Sequence, residues 1–167
     1  YILDTIKNKV KILNNPTSIR NVSEKLYSVR YQKFMPSTIF TQNISEIKKF
    51  FKIHKKVILK PIHSFGGNDI HLLRKFNSKF INQFIKKHDH VMCQKFLPKI
   101  SKGDKRVFII NGKVCGAISR IPKQGSFLSN MSKGANPINV KLTTQENKIS
   151  KLIGKDLKKE KIFFAGI

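Results

Sequence analysis

Residues 104–121 read DKRVFIINGKVCGAISRI, and this stretch decides the fold class. Asn111-Gly112 is the pair that a two-residue type I′ hairpin turn favours, because both central positions need positive φ. The flanks KRVFII and KVCGAISRI carry the β-branched and aromatic residues of strands. If the turn pairs Ile110 with Lys113, Arg106 and Arg120 come to the same open end of the ribbon. They are two of only five arginines in the chain. That placement fits an anion clamp and equally a surface pair near the sheet rim. Asp104, at the same end, would neutralise one arginine or bind a hydroxyl group.

Upstream, VMCQKF reads as a strand closed by Leu97-Pro98, and KISKGD as a polar loop. Before it, Ser78 is expected to cap a helix with Phe80, Phe84 and Ile85 on one face. Further back lies VILKPIHSFGGND, residues 57–69. Here a compact strand bears Lys60 and ends at Pro61, and Gly66-Gly67 turns the chain into the antiparallel strand IHLL. A lysine beside a glycine loop suits phosphate, since glycine lets backbone N–H groups approach the oxygens and lysine adds a point charge. An ordinary β-turn explains the same residues, and the loop is not a Walker A sequence. Asn43 opens a helix with Ile47, Phe50, Phe51 and His54 at i, i+3, i+4 and i+7. Pro36 precedes a short strand, STIFT. The first 14 residues read as a helix end and a short strand, KIL, followed by a turn at Asn14-Asn15-Pro16. Ser18 or Ser23 would cap a short helix through Leu26 and Tyr27.

Downstream, residues 122–137 form a Gly/Ser/Asn/Lys loop long enough to suggest a lid. Thr144 caps a helix with Ile149, Leu152, Ile153 and Leu157 on one face, and KIFFAGI is a final strand. Hairpins and helices without βαβ alternation argue an α+β fold, with helices on one face of mainly antiparallel sheets. A break near residues 90–97 suggests two small lobes with a cleft between them.

Composition limits the function classes. The 167 residues carry 34 Lys+Arg against 9 Asp+Glu, a formal charge of +25. Lys, Ile and Asn make up 65 of the 167, the mark of A/T-rich codons rather than of a polyanion partner. The lysines are spread through every segment, whereas nucleic-acid binders cluster arginine. Hydrophobic residues at 40% are enough for a core and exclude a disordered basic tail. No apolar run approaches the roughly 18 residues of a membrane span. His54, His88 and His90 are expected to be exposed, and His63 and His71 to be incidental neighbours of the glycine loop. Cys93 and Cys115 have no zinc or disulfide spacing and read as small core residues. Phe50, Phe51, Phe80, Phe84 and Phe163 sit at core periodicity. The chain reads as cytoplasmic, without nucleic-acid or membrane partners.

Taken in order, NPTSIRNVSEKLYS, VILKPIHSFGGNDI, QKFLPKISKGDKRVFIINGKV, ISRIPKQG and LTTQENKISKLIGKDLKKEKIFFAGI resemble the ATP-grasp region of the prokaryotic-type glutathione synthetases. The resemblance runs along essentially the whole chain. It implies an ATP-grasp fold: two small α+β lobes with mainly antiparallel sheets gripping ATP, truncated at the C-terminus. Residues 1–22 would be a linker from a missing N-terminal substrate domain, 23–93 the small lobe and 94–167 an incomplete large lobe.

The same resemblance implies roles. Lys25 and Lys60 would be the ATP lysines, and Ser64, Gly66, Gly67 and Asn68 part of a flap over the phosphates. Gln94, Lys95, Phe96 and Leu97 would form the adenine hinge through backbone groups. Asp104 would be a polar ligand near the ribose or phosphates. Arg106 and Arg120 would be the catalytic arginines. Asn130 and Gly134, in the lid, would bind the peptide substrate. The implied cofactors are ATP and Mg²⁺, with the metal ligands expected beyond residue 167. The implied partners are γ-glutamylcysteine and glycine, with a second copy of the chain as a further candidate. Two segments depart from the family pattern. His63-Ser64-Phe65-Gly66-Gly67 stands where Asp-Gly-Met-Gly-Gly is usual. Ser126 to Asn130 replaces Glu-Thr-Arg-Gly-Asn, which puts Leu128 in the place of an arginine. The implied function is glutathione synthesis. Another ATP-grasp amino-acid ligase and a degenerate non-catalytic ATP-grasp module are the alternatives.

Overall fold

The computed structural model describes residues 2–167. Helix α1 (Ile2–Ile6) and α2 (Pro16–Asn21) lead into a 3₁₀ segment, Tyr27–Phe34. Then follow β1 (Thr38–Thr41), α3 (Ile44–His54), β2 (Val57–Pro61), β3 (His71–Leu73), α4 (Ser78–His88) and β4 (Val91–Lys95). After a 3₁₀ turn at Pro98–Lys102 come β5 (Asp104–Ile110), β6 (Lys113–Ile121), β7 (Asn136–Asn139), α5 (Thr144–Lys159) and β8 (Phe164–Gly166). The fold is α+β, and its strands pair antiparallel in two four-stranded sheets.

The chain divides into two compact units. Lys25–Ile100 is one; the residues up to Glu24 join Ser101–Ile167 in the other. A domain boundary after residue 93, as the sequence suggests, falls inside β4, whose Gln94 and Lys95 are paired with β1 and β2.

In the first unit the sheet order is β1-β4-β2-β3. Strand alternation sends Val57, Leu59, Leu73, Val91 and Cys93 to one face, where they pack against Ile47 and Phe50 of α3 and Ile81 and Phe84 of α4. Burial pushes the Cys93 thiol up to about 12, so it behaves as a small apolar residue. Lys60 and Gln94 fall on the opposite face, because they alternate with Leu59 and Cys93.

In the second unit the order is β7-β6-β5-β8. Val107, Ile109, Leu157 and Ile162 are buried. Asn111 and Gly112 take φ of 47° and 78°, the hairpin geometry the sequence calls for, and Ile110 pairs with Lys113. The register slips once, between Phe108 and Ile109, where β6 fits an extra residue, Cys115, as a bulge. Asn14 stitches the N-terminal segment to the last strand. Its Oδ1 accepts from the amides of Phe163 (2.7 Å) and Phe164 (2.6 Å), and its Nδ2 donates to the Phe164 carbonyl (2.8 Å).

Several local expectations are corrected. The stretch KIL is not a strand. Asn15 caps the helix after it, with its side chain accepting from Thr17 and Ser18. Asn77, not Ser78, caps α4, and Thr143, not Thr144, caps α5 in a reciprocal box with Glu146. The expected 122–137 loop gives way at Asn136 to β7, which pairs with Ile118–Ile121. Cys115 and Phe163 are exposed rather than in the core. His88 is largely covered rather than exposed, with its Nε2 3.3 Å from Asp69.

Candidate functional site

The unit Lys25–Ile100 holds the lysines and the glycine loop. Lys60 sits between the buried residues Leu59 and Pro61 on β2, so its stem is fixed by the strand. Its Nζ donates to Gln94 Oε1 at 2.8 Å. Gln94 Nε2 in turn donates to Thr38 Oγ1 at 2.8 Å. Lys25 is only 9% exposed, and its ammonium donates to the carbonyls of Ser64 (2.7 Å) and Ile62 (3.3 Å). The structure thus brings Lys25 to the start of the glycine loop, 37 to 39 residues on from it in sequence, just past the end of the Lys60 strand. Gly66 and Gly67 follow with φ of 66° and 77°, consecutive left-handed positions that side chains rarely adopt. The loop closes on itself, with the Asn68 amide donating to the Phe65 carbonyl at 3.3 Å. Phe65, at the tip, is 81% exposed. Past the glycines, Asp69 receives Lys87 at 2.8 Å, and its carboxyl lies below its ordinary range chiefly through that hydrogen bond.

The segment 94–97, expected to serve as an adenine hinge, has two of its amides already engaged. The Lys95 amide donates to the Ser37 carbonyl (2.9 Å), the Phe96 amide to the Lys56 carbonyl (3.0 Å), and the Leu97 carbonyl accepts from Ile100 (3.1 Å). A base recognised here would use carbonyls, which accept a second hydrogen bond, and amides other than these two.

The other unit holds the arginines. Asp104 and Arg120 are directly opposed on β5 and β6, and Arg106 is two residues along on the same face. Arg120 grips both oxygens of Asp104, Nε to Oδ1 at 2.8 Å and Nη2 to Oδ2 at 2.7 Å. So Asp104 neutralises Arg120 in this state. Arg106 is set apart: burial, and then the Arg120 charge, pull it below the ordinary arginine value, against the opposing effect of Glu24 and Asp104. A side chain at Gly166 would run into the Arg106 guanidinium and displace it, so the glycine of β8 leaves room for the arginine where it stands.

Asn130 and Gly134, expected to lie in a lid, form a turn of their own. Asn130 precedes the 3₁₀ turn Met131–Lys133, and its carbonyl accepts from Lys133 (2.9 Å) and Ala135 (3.3 Å). Gly134 ends the turn at φ 81°. Ser129 and Ala135 are buried, Phe127 and Leu128 are half-buried, and Met131 is 55% exposed. Among the described residues no group of three or more His, Cys, Asp or Glu is placed to hold a metal ion. Nor is any helix among them long and apolar enough to cross a membrane. Sequence reasoning missed Thr38; its one signal was a threonine in TIFT, a strand that also needs a polar face.

A family model described as the prokaryotic glutathione synthetase ATP-grasp domain matches residues 24–167. The glutathione synthetase of Prochlorococcus marinus subsp. pastoris is 36% identical over the whole chain, which covers 56% of that protein. That of Buchnera aphidicola subsp. Baizongia pistaciae is 34% identical, with 54% of it covered. The chain spans about half the length of the curated relatives it matches. Among solved structures, the ATP-grasp ligase PsnB, complexed with minimal precursor, Mg and ADP, superposes with a TM-score of 0.69 at 16% identity. That alignment takes in 99% of this chain and 51% of PsnB. The D-alanyl-alanine synthetase A of Vibrio cholerae gives 0.68 at 14% identity, over 99% of this chain and 57% of that one. At these identities the structural likeness establishes the ATP-grasp fold alone.

Proposed function

Because the chain belongs to the prokaryotic glutathione synthetase family, through its ATP-grasp domain, we propose that the full-length protein joins γ-glutamylcysteine to glycine with conversion of ATP to ADP and phosphate. The observation that supports this most is likeness along the whole chain to glutathione synthetases at 30–36% identity. In this reading the γ-phosphoryl group passes to the C-terminal carboxylate of γ-glutamylcysteine. The glycine amine then attacks the acyl carbon, the amide bond forms, and phosphate leaves. Such a transfer needs positioned positive charge where charge develops on the phosphoryl oxygens.

The residues divide that work. Lys60, held on its strand, and Lys25, at the entry to the glycine loop, attract the nucleotide phosphates. Ser64, Gly66, Gly67 and Asn68 lie in the loop that approaches them, its turn held by the Asn68 amide on the Phe65 carbonyl. Gln94, Lys95, Phe96 and Leu97 bind the base. Arg106, with its charge not shared in a bidentate pair, stabilises the transferring group, and Arg120 does so when Asp104 turns to a hydroxyl of the substrate. Asn130 and Gly134 order the lid over the peptide and keep water from the acyl phosphate. Mg²⁺ would supply further neutralisation, with its ligands outside these 167 residues. The reaction is placed in the cytoplasm.

Incubating the full-length protein with ATP, Mg²⁺, γ-glutamylcysteine and glycine should release phosphate and yield the tripeptide, identified by mass. Phosphate release only with other acids or amines would assign a different ATP-grasp ligase. ATP binding in calorimetry without turnover of any such pair would assign a non-catalytic module.

A further inference from the structure

On the sheet face opposite α3 and α4, polar side chains from three adjacent strands meet in a line: Thr38 of β1, Gln94 of β4 and Lys60 of β2. Gln94 is the middle member, opposed by Thr38 on one side and by Ile58 on the other, with Lys60 one diagonal step further along β2. The donor and acceptor at each joint follow from chemistry. An ammonium only donates, so Gln94 Oε1, 2.8 Å from Lys60 Nζ, accepts. That leaves the Gln94 amide NH₂ facing Thr38 Oγ1 at 2.8 Å. The threonine hydroxyl has one proton, which goes to the Pro36 carbonyl at 2.7 Å, so its lone pair is turned to Gln94. Reversing the Gln94 amide would set its NH₂ against the Lys60 ammonium, donor against donor.

We propose that Thr38 is a positioning residue for Lys60: by fixing which way the Gln94 amide points, it holds the ammonium in place for the nucleotide. The inference rests on Lys60 binding nucleotide, as under the proposed function. Gln94 carries no charge, so it orients the lysine without itself cancelling the charge that phosphate would meet. A carboxylate at position 94 would orient it and quench it together. Holding a long, rotamer-rich lysine in its working geometry before the ligand arrives removes part of the ordering cost of binding. Valine at position 38 keeps the β-branched shape of the strand residue but has no acceptor, so the Gln94 amide could turn over and release Lys60.

The test uses the full-length protein and two readouts. In calorimetry, Thr38→Val should raise the ATP dissociation constant about three- to tenfold, the scale of one lost hydrogen bond. Thr38→Ser, which keeps the hydroxyl, should return it to within about twofold of wild type. Ile39→Val, on the same strand but the other face, should leave it unchanged. In a Lys60→Met background the Thr38→Val effect should vanish, because the cycle isolates what the two residues do together. A Thr38→Val effect of equal size with and without Lys60 would overturn the inference, as would failure of serine to rescue. The second readout needs no nucleotide: hydrogen exchange of the Gln94 side-chain amide by NMR should be slow in wild type and Thr38→Ser and fast in Thr38→Val. Unchanged exchange would also overturn it. If Lys60→Met alone leaves ATP affinity intact, the nucleotide role of Lys60 falls, while the Gln94 exchange still decides whether Thr38 holds the relay.

Discussion

Arg120 meets Asp104 through two parallel hydrogen bonds, 2.8 and 2.7 Å, across a directly opposed pair on β5 and β6. The guanidinium fork matches the two carboxylate oxygens, and a lysine offers only a point charge. Arg120→Lys should therefore lower unfolding stability by about 0.5–1.5 kcal/mol, read from the urea midpoint at constant slope. A midpoint equal to wild type would show that solvent screens the pair and that the fork adds nothing to the fold.

Gly154 lies in the middle of α5, where alanine is usually the better helix former by about 1 kcal/mol. Here the expectation reverses. A Cβ at Gly154 would stand 2.5 Å from the Gly112 carbonyl oxygen, in the turn of the β5–β6 hairpin. Neither the turn nor the helix can yield by rotating a side chain, since the clash is with backbone. Gly154→Ala should destabilise the protein by about 1–3 kcal/mol, the usual cost of overpacking. An increase in melting temperature would mean that helix and hairpin are not packed this closely.

That close approach was not legible in the sequence, although both partners were in plain view. Local signals located the hairpin, because Asn111-Gly112 fixes its own turn and thereby the register that brings Asp104, Arg106 and Arg120 to one end. They located α4 and α5 to within a residue, the error arising because Asn77-Ser78 and Thr143-Thr144 each offer two capping side chains. They missed β7, whose residues Asn-Pro-Ile-Asn are exposed throughout and so show no alternation. The resemblance picked out Lys60 and Gln94 separately. That they touch, and that Thr38 completes the line, depends on the strand order β1-β4-β2, which brings together residues 56 positions apart. Asn14 was read as a turn residue for the same reason: its partners lie about 150 residues away.

Glu146 accepts from Lys105 Nζ at 2.7 Å and from the Thr143 amide at 2.7 Å. The Lys105 hydrogen bond foremost, then that of Thr143, holds its carboxyl below the ordinary glutamate value. A carboxyl lowered in the folded state contributes stability that is fully present above its unfolded value, about 4.3, and is lost as pH falls through the lower folded value. Glu146→Gln keeps the reciprocal cap but loses the ion pair with Lys105. Wild type should exceed the variant by about 0.5–1 kcal/mol at pH 7, and the gap should close as pH falls from about 5 to 3. Urea unfolding at several pH values measures it; a gap independent of pH would leave the ion pair without a part in stability.

The segment between β6 and β7 combines tight and loose backbone within a dozen residues. The amides of Lys133, Gly134 and Ala135 are bonded back to Asn130 and Met131, and Ala135 and Ser129 are buried. Gln124 and Gly125 are exposed, and Gly125 takes a positive φ of 78°. Local opening follows such differences in burial and hydrogen bonding. Amide exchange in the ligand-free protein should thus be fast at 124–125 and measurably slower at 133–135. With nucleotide and peptide both bound, the fast end should slow as well if the segment closes over them. Leu128, half-buried between these ends, offers no charge. An arginine there would add a charge-assisted hydrogen bond to a carboxylate. The peptide substrate proposed above carries carboxylates, whereas the proposed function assigns the phosphates of ATP to Lys25 and Lys60. Leu128→Arg in the full-length enzyme should therefore lower KM for γ-glutamylcysteine more than KM for ATP. Equal changes in both constants, or none, would remove position 128 from peptide binding, and uniform exchange from 124 to 135 would remove the segment from the role of a lid.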